Sequence, residues 1–312
     1  LQKDSLPGVR NRSKLSKDEG LLVFDANGDG KPDIYIASGG YELQPGSPGY
    51  QDRLYINQGK GNFKEDSSAL PVNYTSKFCV RSMDYNKDGK PDLFVSGRVE
   101  PWNYPKPVSS FIYRNDSEKG RVKFTDVTDA VAPDLKNIGM ICDALFTDFD
   151  GDGQTDLIVL GEWTAVTFLK NENGKFKNVT NASGVGGETG WWNSIAAGDF
   201  RHTGRTDYIL GNTGLNSFYK ASEQYPVYIT AKDFDSNGRY VGIPSLFLPD
   251  KEGVKKEFPA DGRDDITRQL SSMKRRFANY NSFAVATMDE VLPPAKRKGA
   301  LRLTATMLQS CF

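Results

Sequence analysis

Apolar residues in this chain come in short blocks rather than at helical spacing. LLVF at 21–24 is followed across a polar break by DIYIASGG at 33–40, and LFT at 145–147 by DLIVLGEW at 156–163. Blocks of this length, rich in Ile, Val, Leu and aromatics and bounded by turn residues, predict buried strands. A second type of block doubles back on itself: LYINQGKGNF at Leu54 to Phe63, FIYRNDSEKGRVKF at Phe111 to Phe124, and TFLKNENGKF at Thr167 to Phe176. Each reads as strand, Gly-containing turn, strand, and Asn173-Gly174 is a favoured two-residue hairpin turn. Only from Asp264 does the spacing become helical, through Ile266, Leu270, Met273, Phe277 and Tyr280, with Asp264 as the predicted N-cap.

The polar breaks between paired blocks repeat. DANGDGKPD at Asp25 to Asp33, DYNKDGKPD at Asp84 to Asp92 and DFDGDGQTD at Asp148 to Asp156 share the form D-x-[DN]-x-D-G-x-x-D. Two degenerate copies follow, DFRHTGRTD at Asp199 to Asp207 and DFDSNGRYV at Asp233 to Val241. Each unit then has four strands, the acidic turn joining the first two and the hairpin the last two, which is a propeller blade. The turns start 59, 64, 51 and 34 residues apart, so a reduced or distorted blade is predicted across the last gap. The fold class is all-β: a propeller of about five four-stranded blades, incomplete, with a C-terminal helical segment. Its divisions are an N-terminal segment at 1–20, blades at 21–250, a helical insertion at 251–292 and a tail at 293–312 leading towards a further blade.

Oxygen-bearing side chains at positions 1, 3, 5 and 9 of a turn with Gly at position 6 suit a hard cation that takes six to eight oxygens, and Ca2+ is the natural occupant. The ligand sets are Asp25, Asn27, Asp29 and Asp33; Asp84, Asn86, Asp88 and Asp92; and Asp148, Asp150, Asp152 and Asp156, with the position-7 carbonyls of Lys31, Lys90 and Gln154 added. An EF-hand needs a bidentate Glu at position 12, where this chain has Ile36, Val95 or Val159 inside predicted strands. The fourth turn, with Arg201 at position 3 and Thr203 at position 5, is expected to bind no calcium. The fifth keeps Asp233, Asp235 and Asn237 but has Val241 at position 9, so its binding is weak or absent.

These turns, taken with the Y/F-x-N-x-G-x-F hairpins, resemble FG-GAP (VCBS) repeats over residues 20 to 248. Such repeats form the blades of integrin α-subunit propellers and of bacterial surface proteins related to cartilage acidic protein. YQDRLYINQGKGNF at Tyr50 to Phe63, GWWNSIAAGDF at Gly190 to Phe200 and GNTGLNS at Gly211 to Ser217 resemble the bacterial branch. The resemblance implies calcium in the strand-connecting turns, ligands on the opposite face, and a propeller that family members close with about seven blades. It also implies that a helical insertion precedes another hairpin, so the chain reads as a truncated propeller.

Residues at the far end of each second strand point to that opposite face. Arg98, Trp102, Tyr104, Glu162, Trp163, Trp191 and Trp192 are the candidate ligand-binding set, since aromatic rings with polar edges suit sugars or peptides; packing between blades is the alternative role of these rings. Trp102, in a Pro-flanked stretch, is the one expected to be exposed.

Composition narrows the partners. Forty basic and forty acidic residues balance, so no nucleic-acid or membrane-surface partner is indicated, and no apolar run is long enough to span a membrane. Cys79, Cys142 and Cys311 make no disulfide framework and read as small buried hydrophobes. The lone His202 has no nucleophile pattern near it, which favours a non-catalytic module over an enzyme such as a polysaccharide lyase; a purely structural scaffold is the third reading. Carboxylate sites on surface turns fill where calcium is abundant, which places the chain outside the cytoplasm, with a glycan or protein as ligand. Unpaired blade edges predict self-association or docking.

Overall fold

The computed structural model describes residues 15–312. Three consecutive units form the expected four-stranded antiparallel meanders, with strands in chain order across each sheet. Blade 1 is β1 (Lys17–Phe24), β2 (Asp33–Gly39), β3 (Arg53–Gly59) and β4 (Asn62–Glu65); blade 2 is β5 (Ser76–Met83), β6 (Asp92–Val99), β7 (Phe111–Asn115) and β8 (Phe124–Asp126). Blade 3 is β9 (Met140–Thr147), β10 (Asp156–Ala165), β11 (Thr167–Asn171) and β12 (Phe176–Asn178), and β13 (Thr189–Trp191) adds to the extended end of β10. The acidic turns connect the first strand of a blade to the second, and the hairpin at Asn173-Gly174 has both residues at positive φ, 55° and 84°, as a two-residue turn requires.

Second strands are buried almost throughout because a blade is covered on both faces. Leu54, Val80, Leu93, Tyr113 and Phe124 fill the space between blades 1 and 2, and Phe94, Ile112, Ile141, Leu157, Val159 and Phe176 that between blades 2 and 3. A charged pair is sealed into the first layer. Lys77 donates to the carbonyls of Tyr50 (2.5 Å) and Asn73 (2.6 Å) and faces Asp52 at 3.4 Å. Asp52 in turn accepts from Tyr35 Oη (2.6 Å) and Ser38 N (2.8 Å). Such a pair persists in a core because its remaining hydrogen bonds are satisfied.

The reduced blade lies where the 34-residue gap predicts it, as a two-stranded sheet of β14 (Ser194–Gly198) and β15 (Asp207–Gly211). The rest of the chain departs from the sequence reading. A fifth sheet has the order β18-β17-β16-β19, formed by β16 (Val227–Lys232), β17 (Val241–Pro249), β18 (Lys255–Pro259) and β19 (Leu301–Ala305). Its last strand lies on the free edge of its first, so it is not a meander blade. Residues 251–292 are likewise not a helical insertion throughout. The first part is β18, and a helix starts only at Arg263, with Gly262 rather than Asp264 at its N-cap. It is one of five short helices, Arg263–Gln269, Met273–Arg276, Tyr280–Ala284, Met288–Val291 and Pro294–Arg297. Ile266, Leu270, Met273 and Phe277 are buried as predicted, but Tyr280 is exposed and donates through Oη to Asp264 (2.7 Å).

The tail does not lead away from the sheets. After β19, Thr306 N and Met307 N both donate to Thr189 O at 2.8 and 3.0 Å, and Cys311 exchanges two backbone hydrogen bonds with Leu210 at 2.9 and 3.0 Å. Leu210 belongs to β15, so the tail supplies the two-stranded sheet with a third backbone segment, and the fifth sheet is an excursion out of that blade. Cys79 and Cys142 are buried free thiols and Cys311 a partly buried one. Of the predicted N-terminal segment, residues 1–14 lie outside the described residues, and β1 begins at Lys17 within it.

Candidate functional site

All five acidic turns share one scaffold, carried by the aspartate at position 1. In the first turn Asp25 accepts from the backbone N–H of Gly28 (2.8 Å), Asp29 (3.2 Å) and Gly30 (2.7 Å). Asp84, Asp148, Asp199 and Asp233 hold the N–H groups of positions 5 and 6 in the same way. The wrap needs left-handed backbone at position 4 as well as at the position-6 glycine. Position 4 is Gly28, Lys87, Gly151, His202 or Ser236, all with φ between 53° and 78°. This explains the only histidine as a turn residue.

The position-5 aspartates turn onto the following backbone: Asp29, Asp88 and Asp152 accept from the N–H of Lys31, Lys90 and Gln154 at 2.8 to 2.9 Å. Asp29 also pairs with Lys31 Nζ at 2.9 Å, which holds its carboxyl below the usual range. Asn27 and Asn86 accept from the N–H of Asp29 and Asp88.

Position 9 behaves differently, because it opens the buried second strand. Asp33 accepts from Ala26 N (2.9 Å) and Asn57 N (2.8 Å), Asp156 from Phe149 N (3.1 Å) and Asn171 N (2.7 Å). Asp92 accepts from Asn115 N at 2.7 Å, and the Tyr85 N–H pulls on the carboxyl only weakly, where Ala26 N and Phe149 N make full bonds in the other two turns. Burial raises all three carboxyls, against the pull of these backbone bonds, and Asp92 is pushed up to about 7, with Asp88 and Asp84 adding repulsion. A hard cation would answer this repulsion.

The third turn goes furthest. Ligand oxygens of Asp148, Asp150 and Asp156 lie within 4.8 Å of one another, the one such group of three among the described residues. Lys170, from β11, reaches this cluster and bonds Asp150 and, at 2.9 Å, Asp152, so that the ammonium is held charged. In the fourth turn a cation is built in. Arg201 donates through Nε (2.9 Å) and Nη2 to Asp207 Oδ1, which lowers the Asp207 carboxyl instead of raising it. The donor chemistry of the first three turns therefore fits Ca2+, with Lys170 as an internal competitor at the third, whereas the fourth has its position-9 charge met by its own position-3 arginine. In the fifth, Asp233 and Asn237 serve the backbone, Val241 is buried, and no acid stands at position 9.

A role that sequence reading missed belongs to the hairpin asparagines. Asn57, Asn115 and Asn171 each donate through Nδ2 to the position-8 carbonyl of their own turn, at Pro32, Pro91 and Thr155. Asn115 and Asn171 also donate to the position-2 carbonyl of the preceding blade, Ala26 (3.1 Å) and Tyr85 (2.9 Å). The recurrence of Asn at the same place in three hairpins was the available signal.

At the opposite strand ends, six of the seven candidate ligand residues come together. A backbone carbonyl, Met140 O, lies 2.0 Å from where a Cβ on Gly161 would stand, so only glycine fits, and β10 is bulged there. The bulge delivers Glu162 and Trp163 to a pocket of about 340 Å3 that they line with Tyr104, Trp191, Trp192 and Tyr219. Arg98 donates to Glu162 Oε1 (2.7 Å), Tyr104 Oη to Glu162 Oε2 (3.1 Å), and Trp163 Nε1 to Tyr104 Oη (2.8 Å). Trp191 lies edge-to-face with Trp163 (4.9 Å) and Tyr219 (4.8 Å). Trp102 is the exception: it does not line this pocket, and it is half-buried rather than exposed, with the Arg239 guanidinium 4.5 Å over its ring. The alternative role, packing, holds for Trp192 and Trp163, only 1% and 6% exposed.

No curated protein matches the chain. A family model, the FG-GAP-like repeat, matches residues 25–95 and 148–210. These stretches open on Asp25 and on Asp148 and between them contain the first four acidic turns. By turn, hairpin and blade, residues 25–95 and 148–210 are FG-GAP-like repeats.

Proposed function

We propose that the chain is a non-catalytic, calcium-binding repeat module that recognises a glycan or protein outside the cytoplasm. The observation that carries this reading is the convergence of Asp148, Asp150 and Asp156 within 4.8 Å, with Asp33 and Asp92 burying equivalent carboxyls in the first two turns. Calcium there would be structural, neutralising repulsion at the joint between the first and second strands. Surface sites of a few carboxylates bind with modest affinity and fill where calcium is plentiful, which supports placement outside the cytoplasm. Among the described residues no helix is long and apolar enough to cross a membrane.

The rival lyase reading would use Tyr104 as base beside Arg98. Burial and the neighbouring Glu162 raise the Tyr104 phenol further, the opposite of what a base working near neutral pH needs. Calorimetric titration of chelator-stripped protein tests the proposal: uptake at three sites with a raised melting temperature is expected. Absence of calcium uptake would overturn the metal assignment.

A further inference from the structure

We infer that the pocket between blade 3 and the fifth sheet binds a neutral sugar ring, an inference that deepens the recognition reading above and rests on it. Its charge is settled before any ligand arrives. Glu162 is the acid lining the pocket, its two oxygens are taken by Arg98 and Tyr104, and no Lys or Arg is among the lining residues, so the pocket wall offers a ligand no free charge.

Shape and surface point to the same chemistry. Trp191 and Tyr219 present aromatic rings beside Ile229 and Pro244, with Asn193 and Thr213 as further polar groups. A pyranose offers apolar C–H faces to such rings and hydroxyls that both donate and accept. The volume of about 340 Å3 lies at the small end of the roughly 300–1,000 Å3 typical of ligand pockets, which suits one or two rings rather than an extended peptide.

Three of the four tryptophans line the pocket, so intrinsic emission reports on it. The calcium-loaded full chain, carrying Trp102→Phe to silence the tryptophan outside the pocket, is titrated with methyl glycosides of glucose, galactose, mannose, N-acetylglucosamine and glucuronic acid. A saturable emission change with at least one neutral glycoside is expected, weakened roughly tenfold by Tyr219→Ala, while the calcium-induced rise in melting temperature stays. Tyr219 is at the edge of the packed cluster, and Thr213→Val, which keeps the shape, gives a second variant expected to weaken binding. Preference for the glucuronide, or binding indifferent to both variants, would overturn the inference. So would no response to any glycoside while calcium still raises the melting temperature; loss of the calcium response itself would instead strike the module reading.

Discussion

The third and fourth acidic turns are built on the same scaffold and solve the same electrostatic problem in opposite ways. In both, the position-1 aspartate wraps the backbone and the position-9 aspartate starts a second strand. The third places Asp150 at position 3, and three carboxylates converge; the fourth places Arg201 there, and the guanidinium lies on Asp207. The consequence is visible in the acids themselves, since Asp156 is raised by burial and Asp207 lowered by Arg201. One chain thus contains a turn where three carboxylates converge, with Lys170 reaching in from the neighbouring strand, and one where the position-3 side chain itself neutralises position 9. Positions 3 and 9 evidently face the same small volume, because a single side chain from one reaches the other.

The most severe way to break this comparison is at position 9. Asp156→Ala leaves the N–H groups of Asn171 and Phe149 without acceptors at a buried strand end, and should lower unfolding free energy by about 3 kcal/mol in urea. Asp207→Ala should cost clearly less, since its turn is more exposed. Equal losses would mean that position 9 is not where the two turns differ.

Exchanging position 3 sharpens it. Asp150→Arg should delete one calcium from the calorimetric stoichiometry, and Arg201→Asp should add one. At calcium a hundredfold above its dissociation constant each gain or loss amounts to about 2.7 kcal/mol of calcium-dependent stability. Unchanged stoichiometry in both variants would sink the equivalence of the two turns.

The smallest expected effect is on pH dependence, and its sign differs between turns. Asp92 titrates at about 7 when folded, above the ordinary carboxylate value, so between about pH 4 and 7 the folded chain holds a proton that the unfolded chain has lost. Its contribution to stability therefore falls as pH rises through that window. Asp207, lowered by Arg201, contributes stability present above the unfolded value and lost as pH falls through its folded one. In chelator, melting temperature should decline from pH 5 to 7.5, and Asp92→Asn should flatten the decline. Calcium, by favouring the charged carboxylates, should reduce or reverse it. A flat profile in chelator would show that Asp92 is not kept protonated.

Much of this was legible from the residues because turn chemistry is local. The Gly at position 6, the alternation of acids and the Asn-Gly hairpin each act within a few residues, and blades 1 to 3 follow from them. The helical spacing from Ile266 correctly marked four buried positions, but spacing says nothing about where helices break, so the split into short helices and the exposure of Tyr280 were not readable. The strand at 255–259 is a local hairpin partner of β17, whereas the addition of Leu301–Ala305 to β16 and the return of the tail to Leu210 depend on pairing across some 70 to 100 residues. No local pattern encodes such partners. The aromatic pocket lies between these cases: the strand ends placed its residues on one face, but only the packed structure distinguishes Trp191, lining it, from Trp102, covered by Arg239.

The hairpin asparagines also have a mechanical meaning. Asn115 ties its own Asp92, through its backbone, to the carbonyl of Ala26 in the preceding turn, and Asn171 does the same between Asp156 and Tyr85. A force that peels one blade from the next is thus transmitted through the acidic turns rather than through the greasy layer alone. The three turns form a continuous seam along the rim, and a cation that stiffens any one of them tightens the stitching on either side.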